Sequence, residues 1–265
     1  VLSGRVVEYQ GKTYHAGCYE TAGPRCGVCA GTLRGSFVTL GEGFTYHREC
    51  FEATPRCEGC GLPAAGARGQ ASRWPDGRVT CEVCRKEAVT DPATAALVCE
   101  DARSALAGTL GLEVRVPTPV VLVAKPALLG LAGELAHPNL KALTVVEEEV
   151  VPGAVRGPRS YRINVLSGLP RGALIGVLGH EVFHVLQSEA SNRERDPALR
   201  EGSANYAQLR ILEGRKDVQR ARFLEQDKDP IYGEGLRRFE RLVKERGERE
   251  AIDLGLRAAA FPEGF

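Results

Sequence analysis

The chain has no methionine, a single tryptophan and only five histidines among its 265 residues. It begins at Val1 without an initiator Met, so a native N-terminal segment is expected to precede it. A dominant charge is missing too: 35 Lys and Arg stand against 34 Asp and Glu. That balance argues against partners held by bulk electrostatics, so neither nucleic acid nor a membrane surface is expected. Long apolar runs are also absent. The most hydrophobic region, VPTPVVLVAKPALLGLAGEL, is interrupted by Lys125 and by prolines and does not suit a bilayer span. No signal peptide is visible. What remains is enough chain for one sizeable domain plus a smaller one, with ample apolar content for a core.

Cysteine is not scarce. All but one of the nine lie before residue 90, mostly as Cys-x-x-Cys pairs. A secreted disulfide scaffold is one reading. Two thiolates on one tight turn can instead both reach a single zinc, and the metal reading is favoured. A reducing, cytoplasmic compartment then follows. Five ligand pairs occur in order: His15/Cys18, Cys26/Cys29, His47/Cys50, Cys57/Cys60 and Cys81/Cys84. A closed tetrahedral site takes two pairs, so one pair is left over. The register comes from a local echo, YHAGCYETAGPRCGVC followed by YHRECFEATPRCEGC.

Joining Cys26 and Cys29 to His47 and Cys50 across seventeen residues resembles the first half of a LIM finger. Cys57 and Cys60 with Cys81 and Cys84 make the second half, and Asp76-Gly77 in WPDGRVTCEVC is a hairpin signal that would present the last pair. Two structural zinc ions are thus expected. The linker FEATPR between the halves is longer than in a standard LIM domain, so the module is LIM-like. His15/Cys18 reads as the tail of a preceding finger, or else as an unliganded surface pair. The expected divisions are 1–23 for that tail, 24–90 for the LIM-like module and 91–265 for a separate domain. Structural zinc contributes about 10–16 kcal/mol of apparent binding energy in finger peptides, and so small a module needs it to fold. No basic recognition helix follows a ligand pair, which favours protein recognition over nucleic acid.

Beyond residue 90 the pattern changes. Asp91 can cap a helix from Pro92 through Leu110, with Cys99 a small buried core residue inside it. EVRVPTPVVLVAK reads as an edge strand or a strand start, because its prolines come early. PALLGLAGEL is a short helix; LKALTVVEEEVVPG and RSYRINVLSGL are further strands. From Pro170 onward the chain is nearly all helix. The fold class is α+β, a small sheet followed by helices.

LIGVLGHEVFHVLQSEA carries HExxH at His180, Glu181 and His184. On a helix the two histidines are one turn apart and share a face, while Leu178, Val182 and Val185 fall on the opposite one. Gly172, Gly176 and Gly179 weaken helix propensity and suit close approach or tight packing. A catalytic zinc needs a third protein ligand and an open fourth position. Glu201 in DPALREGSANYAQLRIL, separated from His184 by sixteen residues, can supply it from a second, antiparallel helix. Asn205, one turn later, could hydrogen-bond a histidine ring nitrogen.

With those residues in place, the chain resembles the plant LIM-domain zinc peptidases that restrict organ growth, a ubiquitin-linked family with a gluzincin-type domain. The likeness lies in FEATPRCEGC, DGRVTCEVC, GLPRGALIGVLGHEVFH, REGSANY, DPIYGEGLRRFERLVKERG and AAAFP. It runs over most of the chain, lacks ubiquitin-interacting helices and a complete first finger, and has a composition suited to a bacterial relative. The resemblance implies a zinc-dependent endopeptidase acting on protein or peptide substrates, with one catalytic and two structural zinc ions. Glu181 would be the general base. Tyr232, in DPIYGEGL, is the candidate oxyanion donor and Tyr206 its runner-up. The strand RSYRINVLSG could pair with an extended substrate, as edge strands do. Ubiquitin or a ubiquitin-like protein is a partner by resemblance alone. The rival is an inactive LIM-type adaptor.

Overall fold

The computed structural model describes residues 5–9, 11–40, 43–152, 157–191 and 193–265. It is a mixed α/β molecule with small sheets and about ten helices, and it divides into two compact units, Val1–Lys86 and Glu87–Phe265. The boundary lies slightly before the expected 90/91. Residues 87–89 bond instead to the start of the helical part: Val89 N–H to Leu169 O at 2.9 Å, Gly168 N–H to Val89 O at 2.8 Å and Arg171 N–H to Glu87 O at 3.1 Å.

The first unit is built by repetition. Strands β1 (Val6–Tyr9) and β2 (Lys12–His15) form a hairpin that runs directly into helix α1 (Ala16–Ala22). Strands β3 (Phe37–Leu40) and β4 (Phe44–His47) repeat the hairpin and lead into α2 (Arg48–Ala53). In both copies the last strand residue, His15 or His47, is also the N-cap of the helix. A tight knuckle follows each helix. Cys26 N–H bonds to Gly31 O at 2.8 Å and Ala30 N–H returns to Cys26 O at 2.9 Å; in the second knuckle the pairs are Cys57 to Leu62 and Gly61 to Cys57, both at 2.8 Å. The residue after each second cysteine is left-handed, Ala30 with φ 58° and Gly61 with φ 70°. Glycine takes that backbone without strain and alanine does not, so Ala30 is the more strained corner. The Asp76-Gly77 turn forms as expected between β5 (Ser72–Arg73) and β6 (Val79–Thr80), and α3 (Glu82–Lys86) follows. Among the described residues, the buried apolar cluster around the first knuckle comprises only Cys26, Leu33 and Tyr46, flanked by partly buried Tyr9, Phe44 and Phe51.

The second unit opens with α4 (Pro92–Leu110). Asp91 Oδ2 accepts from Thr94 N–H at 2.7 Å, Pro92 sits in the first turn, and Gly111 closes the helix with φ 67°. These are the cap, start and stop residues that local chemistry prescribes. Cys99 is buried within this helix, as its sequence context suggests. A three-stranded sheet has the order β7 (Val120–Val123), β9 (Arg159–Leu166), β8 (Ala142–Glu148), with α5 (Lys125–Ala132) between β7 and β8 in the chain. The strand containing RSYRINVL is therefore central, parallel to β7 and antiparallel to β8. Both of its edges are already hydrogen-bonded, so it cannot accept an extended peptide. The edge strands among the described residues are β7, which packs on α4, and β8, which packs on α6.

Helices α6 (Arg171–Ala190), α7 (Pro197–Gly214), α8 (Val218–Glu225), α9 (Gly233–Arg246) and α10 (Glu248–Arg257) complete the unit. Helix α6 is its axis: Leu174, Leu178, Val182, Phe183 and Val185 are fully buried. Asp196 caps α7 through Ala198 N–H at 2.9 Å, with Pro197 in the first turn, the same arrangement as at Asp91-Pro92. Glycine sets the spacing of this layer. A Cβ at Gly179 would lie 2.2 Å from Ile211 Cδ1, and one at Gly202 would lie 2.3 Å from the Gly235 carbonyl. Thus α7 lies tight against α6 on one side and against α9 on the other. No described helix is long and apolar enough to cross a membrane.

Candidate metal centres

The structure gathers three groups of donor atoms, each within 4.8 Å of one another: Cys26, Cys29, His47 and Cys50; Cys57, Cys60, Cys81 and Cys84; and His180, His184 and Glu201. These are the donor sets that spacing in the sequence selects. His15 and Cys18 sit at the same places on their hairpin and helix as His47 and Cys50, but no third described donor joins them.

In the first group the knuckle brings Cys26 and Cys29 together, and the hairpin and helix bring His47 and Cys50. His47 Nδ1 lies 3.4 Å from Cys29 Sγ, and its Nε2 is 3.1 Å from Thr32 O. The carbonyl can only accept, so Nε2 carries the proton and Nδ1 is left to bind. Backbone N–H groups of Val28 and His47 point at Cys26 Sγ, both at 3.4 Å. Burial works against the Cys26 thiolate, but these amides and that of Cys29 outweigh it and bring the pKa down to about 6. Burial and the neighbouring sulfurs push Cys50 up to about 11.

The second group is more enclosed, with all four cysteines buried. Cys81 N–H reaches Cys57 Sγ at 3.3 Å, and Arg68 Nε reaches Cys81 Sγ at 3.3 Å. Hydrogen bonds from Cys60 and Cys84 drive the Cys57 pKa far down. In turn Cys57 pushes Cys60 up to about 12 and Cys84 higher still. One thiolate thus holds the protons of its neighbours. Ionising all four sulfurs so close together would need a cation, and the set can hold a metal ion.

The third group lies in the second unit. His180 Nε2 and His184 Nε2 are 3.1 Å apart, and Glu201 Oε2 is 3.2 and 3.3 Å from them. Donors around a tetrahedral ion at about 2.0–2.1 Å sit roughly 3.3 Å apart, so the spacing fits a metal. The other carboxylate oxygen, Oε1, is 3.5 Å from Arg200 Nε. Glu201 reaches back because α7 runs antiparallel to α6, with Gly176 facing Leu212 and Gly179 facing Ile211. All three side chains are buried. Burial resists charge on His184, but the Glu201 carboxylate outweighs it and raises the imidazole pKa. Burial likewise opposes the Glu201 carboxylate, yet His184 and His180 hold its pKa well below the usual range.

Glu181 sits beside this group and is itself buried. Its Oε2 accepts from Thr144 Oγ1 at 2.7 Å, so strand β8 orients the carboxylate. Tyr232 is the N-cap residue of α9, and its backbone N–H bonds to Asp229 Oδ1 at 3.0 Å. Burial raises the Tyr232 pKa, and the charge of Glu201 raises it further while that of Arg200 opposes the rise. The phenol stays protonated, a donor. Tyr206 points elsewhere: its hydroxyl donates to Glu248 Oε1 at 2.7 Å and its ring packs on Phe239. Asn205 does not reach a histidine either; its Nδ2 donates to Tyr232 O at 3.1 Å, because one turn beyond Glu201 the helix faces α9.

The group that does reach a histidine is Gln187, whose Oε1 is 2.7 Å from His184 Nδ1. Sequence reasoning passed it over. Residues 180, 184 and 187 follow the i, i+4, i+7 stripe of one helix face, and that polar stripe was the available signal. Thr144 had none, since it meets Glu181 across 37 residues of chain. No protein-family model, curated protein or solved structure matches the chain.

Proposed function

We propose that the chain is a zinc-dependent endopeptidase with an N-terminal LIM-like module, in the manner of the LIM-domain peptidases its motifs resemble. The single observation that carries this reading is the convergence of His180, His184 and Glu201, with Glu181 held beside them by Thr144. Zinc is the metal that suits both the closed thiolate-rich groups and a three-donor group of two imidazoles and one carboxylate. The difference in donor number assigns the roles. Four donors close a structural site, whereas three leave a position open for chemistry.

Zinc bound by His180, His184 and Glu201 would polarise a peptide carbonyl and bring the pKa of water towards about 7. The chain supplies the rest. Glu181 takes the proton of the attacking water and delivers it to the leaving amine, and Thr144 keeps that carboxylate aimed. Tyr232, protonated, donates to the oxygen on which negative charge develops. Strand β8, an edge strand among the described residues that holds Thr144 next to Glu181, is where an extended peptide can lie, in place of the central β9. The fingers recognise a substrate or a regulator; a ubiquitin-like regulator enters only through the resemblance. Clustered free thiols suit a reducing compartment such as the cytoplasm.

Glu181 separates an enzyme from an adaptor, because it is needed for turnover and not for holding metal. Elemental analysis of the wild type should find three zinc ions per chain. Glu181→Gln should keep all three and lower cleavage of an unfolded protein or a peptide library by about 10²–10⁴-fold, the usual worth of a general base. A wild type that holds three zinc ions yet cleaves nothing supports the adaptor. A wild type with zinc only in the cysteine groups removes the catalytic centre altogether.

A further inference from the structure

Gln187 is 2% exposed and lies one turn beyond His184 on α6. The two ends of an amide differ in chemistry, so what surrounds one end decides which way the other faces. Gln187 Nε2 is 3.1 Å from Arg200 O, 3.1 Å from Gly255 O and 3.0 Å from Ser203 Oγ. The two carbonyls can only accept. Ser203 Oγ gives its proton to Leu199 O at 2.7 Å, so towards Gln187 it accepts as well. All three neighbours therefore demand the amide nitrogen, and turning the amide over would set its oxygen against three acceptors. The oxygen is left facing His184 Nδ1 at 2.7 Å. A carbonyl oxygen cannot donate, so Nδ1 must carry the ring proton. In the neutral ring, Nε2 then presents its lone pair towards His180 and Glu201.

We infer that Gln187 is a positioning residue that fixes the tautomer and ring orientation of His184, under instruction from the backbones of α7 and α10. The inference rests on reading the His180–His184–Glu201 group as a metal centre. Helix α10 takes part because Gly255 brings its backbone close; a Cβ there would lie 2.8 Å from Ser203 Cβ. Arg195 ties the same region together, donating to Gln187 O at 2.8 Å and also to Leu256 O. His180 has no such support: its Nδ1 is buried and finds no partner among the described residues. The two imidazoles are thus unequal, His184 set in advance by protein and His180 by the metal it binds. A carboxylate or carbonyl on the far nitrogen of a ligating histidine is a known determinant of metal affinity.

The test is zinc competition against a chromophoric chelator on the full chain with its cysteine groups loaded. Gln187→Leu should weaken the third zinc by roughly 10–100-fold and leave the other two unchanged. Gln187→Glu keeps an acceptor for Nδ1–H but loses the amide donors. It should therefore lose stability to a similar degree as Gln187→Leu while recovering much of the zinc affinity. Equal affinity in wild type and Gln187→Leu overturns the role of Gln187 alone, as does a loss shared equally by both variants. A wild type with no third zinc overturns the reading of the site as well. Should the variants not fold, ¹⁵N-histidine NMR of the zinc-loaded wild type decides. His184 protonated at Nδ1 supports the assignment, and protonation at Nε2 overturns it.

Discussion

Replacing Gly202 by alanine tests how the third metal group is assembled, and its sign is set by two opposed effects. Gly202 follows Glu201 in the middle of α7, where Gly→Ala alone gains up to about 1 kcal/mol of helix propensity. Here, however, the new Cβ would lie 2.3 Å from the C and O atoms of Gly235 and 2.8 Å from its Cα. Every colliding atom is backbone, so no side chain can rotate away and α9 must move outward by roughly an ångström. Overpacking of this kind typically costs about 1–3 kcal/mol, and collisions with backbone belong at the upper end. The clash wins, with a net loss of about 1–2 kcal/mol, or about 2–8 °C in Tm for a unit of this size. Gly108, in the last turn of α4 with open space where a Cβ would go, gives the opposite sign. Gly108→Ala should stabilise by up to about 0.5 kcal/mol, less than a helix-interior site because the last turn frays. Far-ultraviolet circular dichroism follows the second unit, which contains all the long helices, while fluorescence of Trp74 reports on the first. Free zinc must be held constant, since bound metal shifts apparent stability. The expected result is a lowered dichroism transition in Gly202→Ala, a raised one in Gly108→Ala, and an unmoved Trp74 transition in both. If Gly202→Ala is as stable as wild type, α7 and α9 do not meet through their glycines and the placement of Tyr232 loses its support.

Two further outcomes concern the same site. Tyr232→Phe should keep the fold and all metal but lower kcat by about 10²–10³-fold with KM little changed, as loss of an oxyanion donor does. Tyr206→Phe, which loses only the bond to Glu248, should leave turnover intact and cost about 1 kcal/mol of stability; equal turnover in both variants would refute the assignment. Zinc uptake by the His180–His184–Glu201 group should weaken as pH falls. Glu201 raises the His184 pKa, so a proton on His184 competes with metal through and above the ordinary imidazole range, while Glu201, held low, stays ionised. Affinity therefore climbs with pH until the raised His184 pKa is passed and then levels off. Calorimetry in buffers of different ionisation enthalpy should show proton release below that point and little above it.

What could be read from the sequence and what could not divide along one physical line. Ligand pairs such as Cys26/Cys29 or His180/His184 are legible because a single turn of chain fixes the distance between them. The caps at Asp91-Pro92 and Asp196-Pro197 are legible for the same reason. Glu201 is legible because a short connection between two antiparallel helices leaves few ways to fold back. Once partners lie on elements brought together only by packing, spacing carries no information. RSYRINVL invites pairing with a substrate as an edge strand would, yet its density of buried residues (Tyr161, Ile163, Asn164, Val165 and Leu166) is what a central strand requires. Helical spacing alone points Asn205 at a histidine. The direction it faces depends on α9 docking at Gly202 and Gly235, and that docking hands its amide to Tyr232 O.

The residues outside the motif then acquire a common logic. Thr144 from β8 aims Glu181, the carbonyls of Arg200 and Gly255 aim Gln187 at His184, and Asn205 holds the backbone at Tyr232. Each reaches the site from an element other than α6. A helix carrying HExxH places two imidazoles on one face whatever surrounds it, since the backbone alone sets that spacing. It does not choose a ring tautomer or aim a carboxylate. Those choices fall to hydrogen-bond partners supplied by the sheet, by α7 and by α10. A chemically competent centre therefore needs the whole second unit folded around α6, which is why so much of this helix is buried on every side.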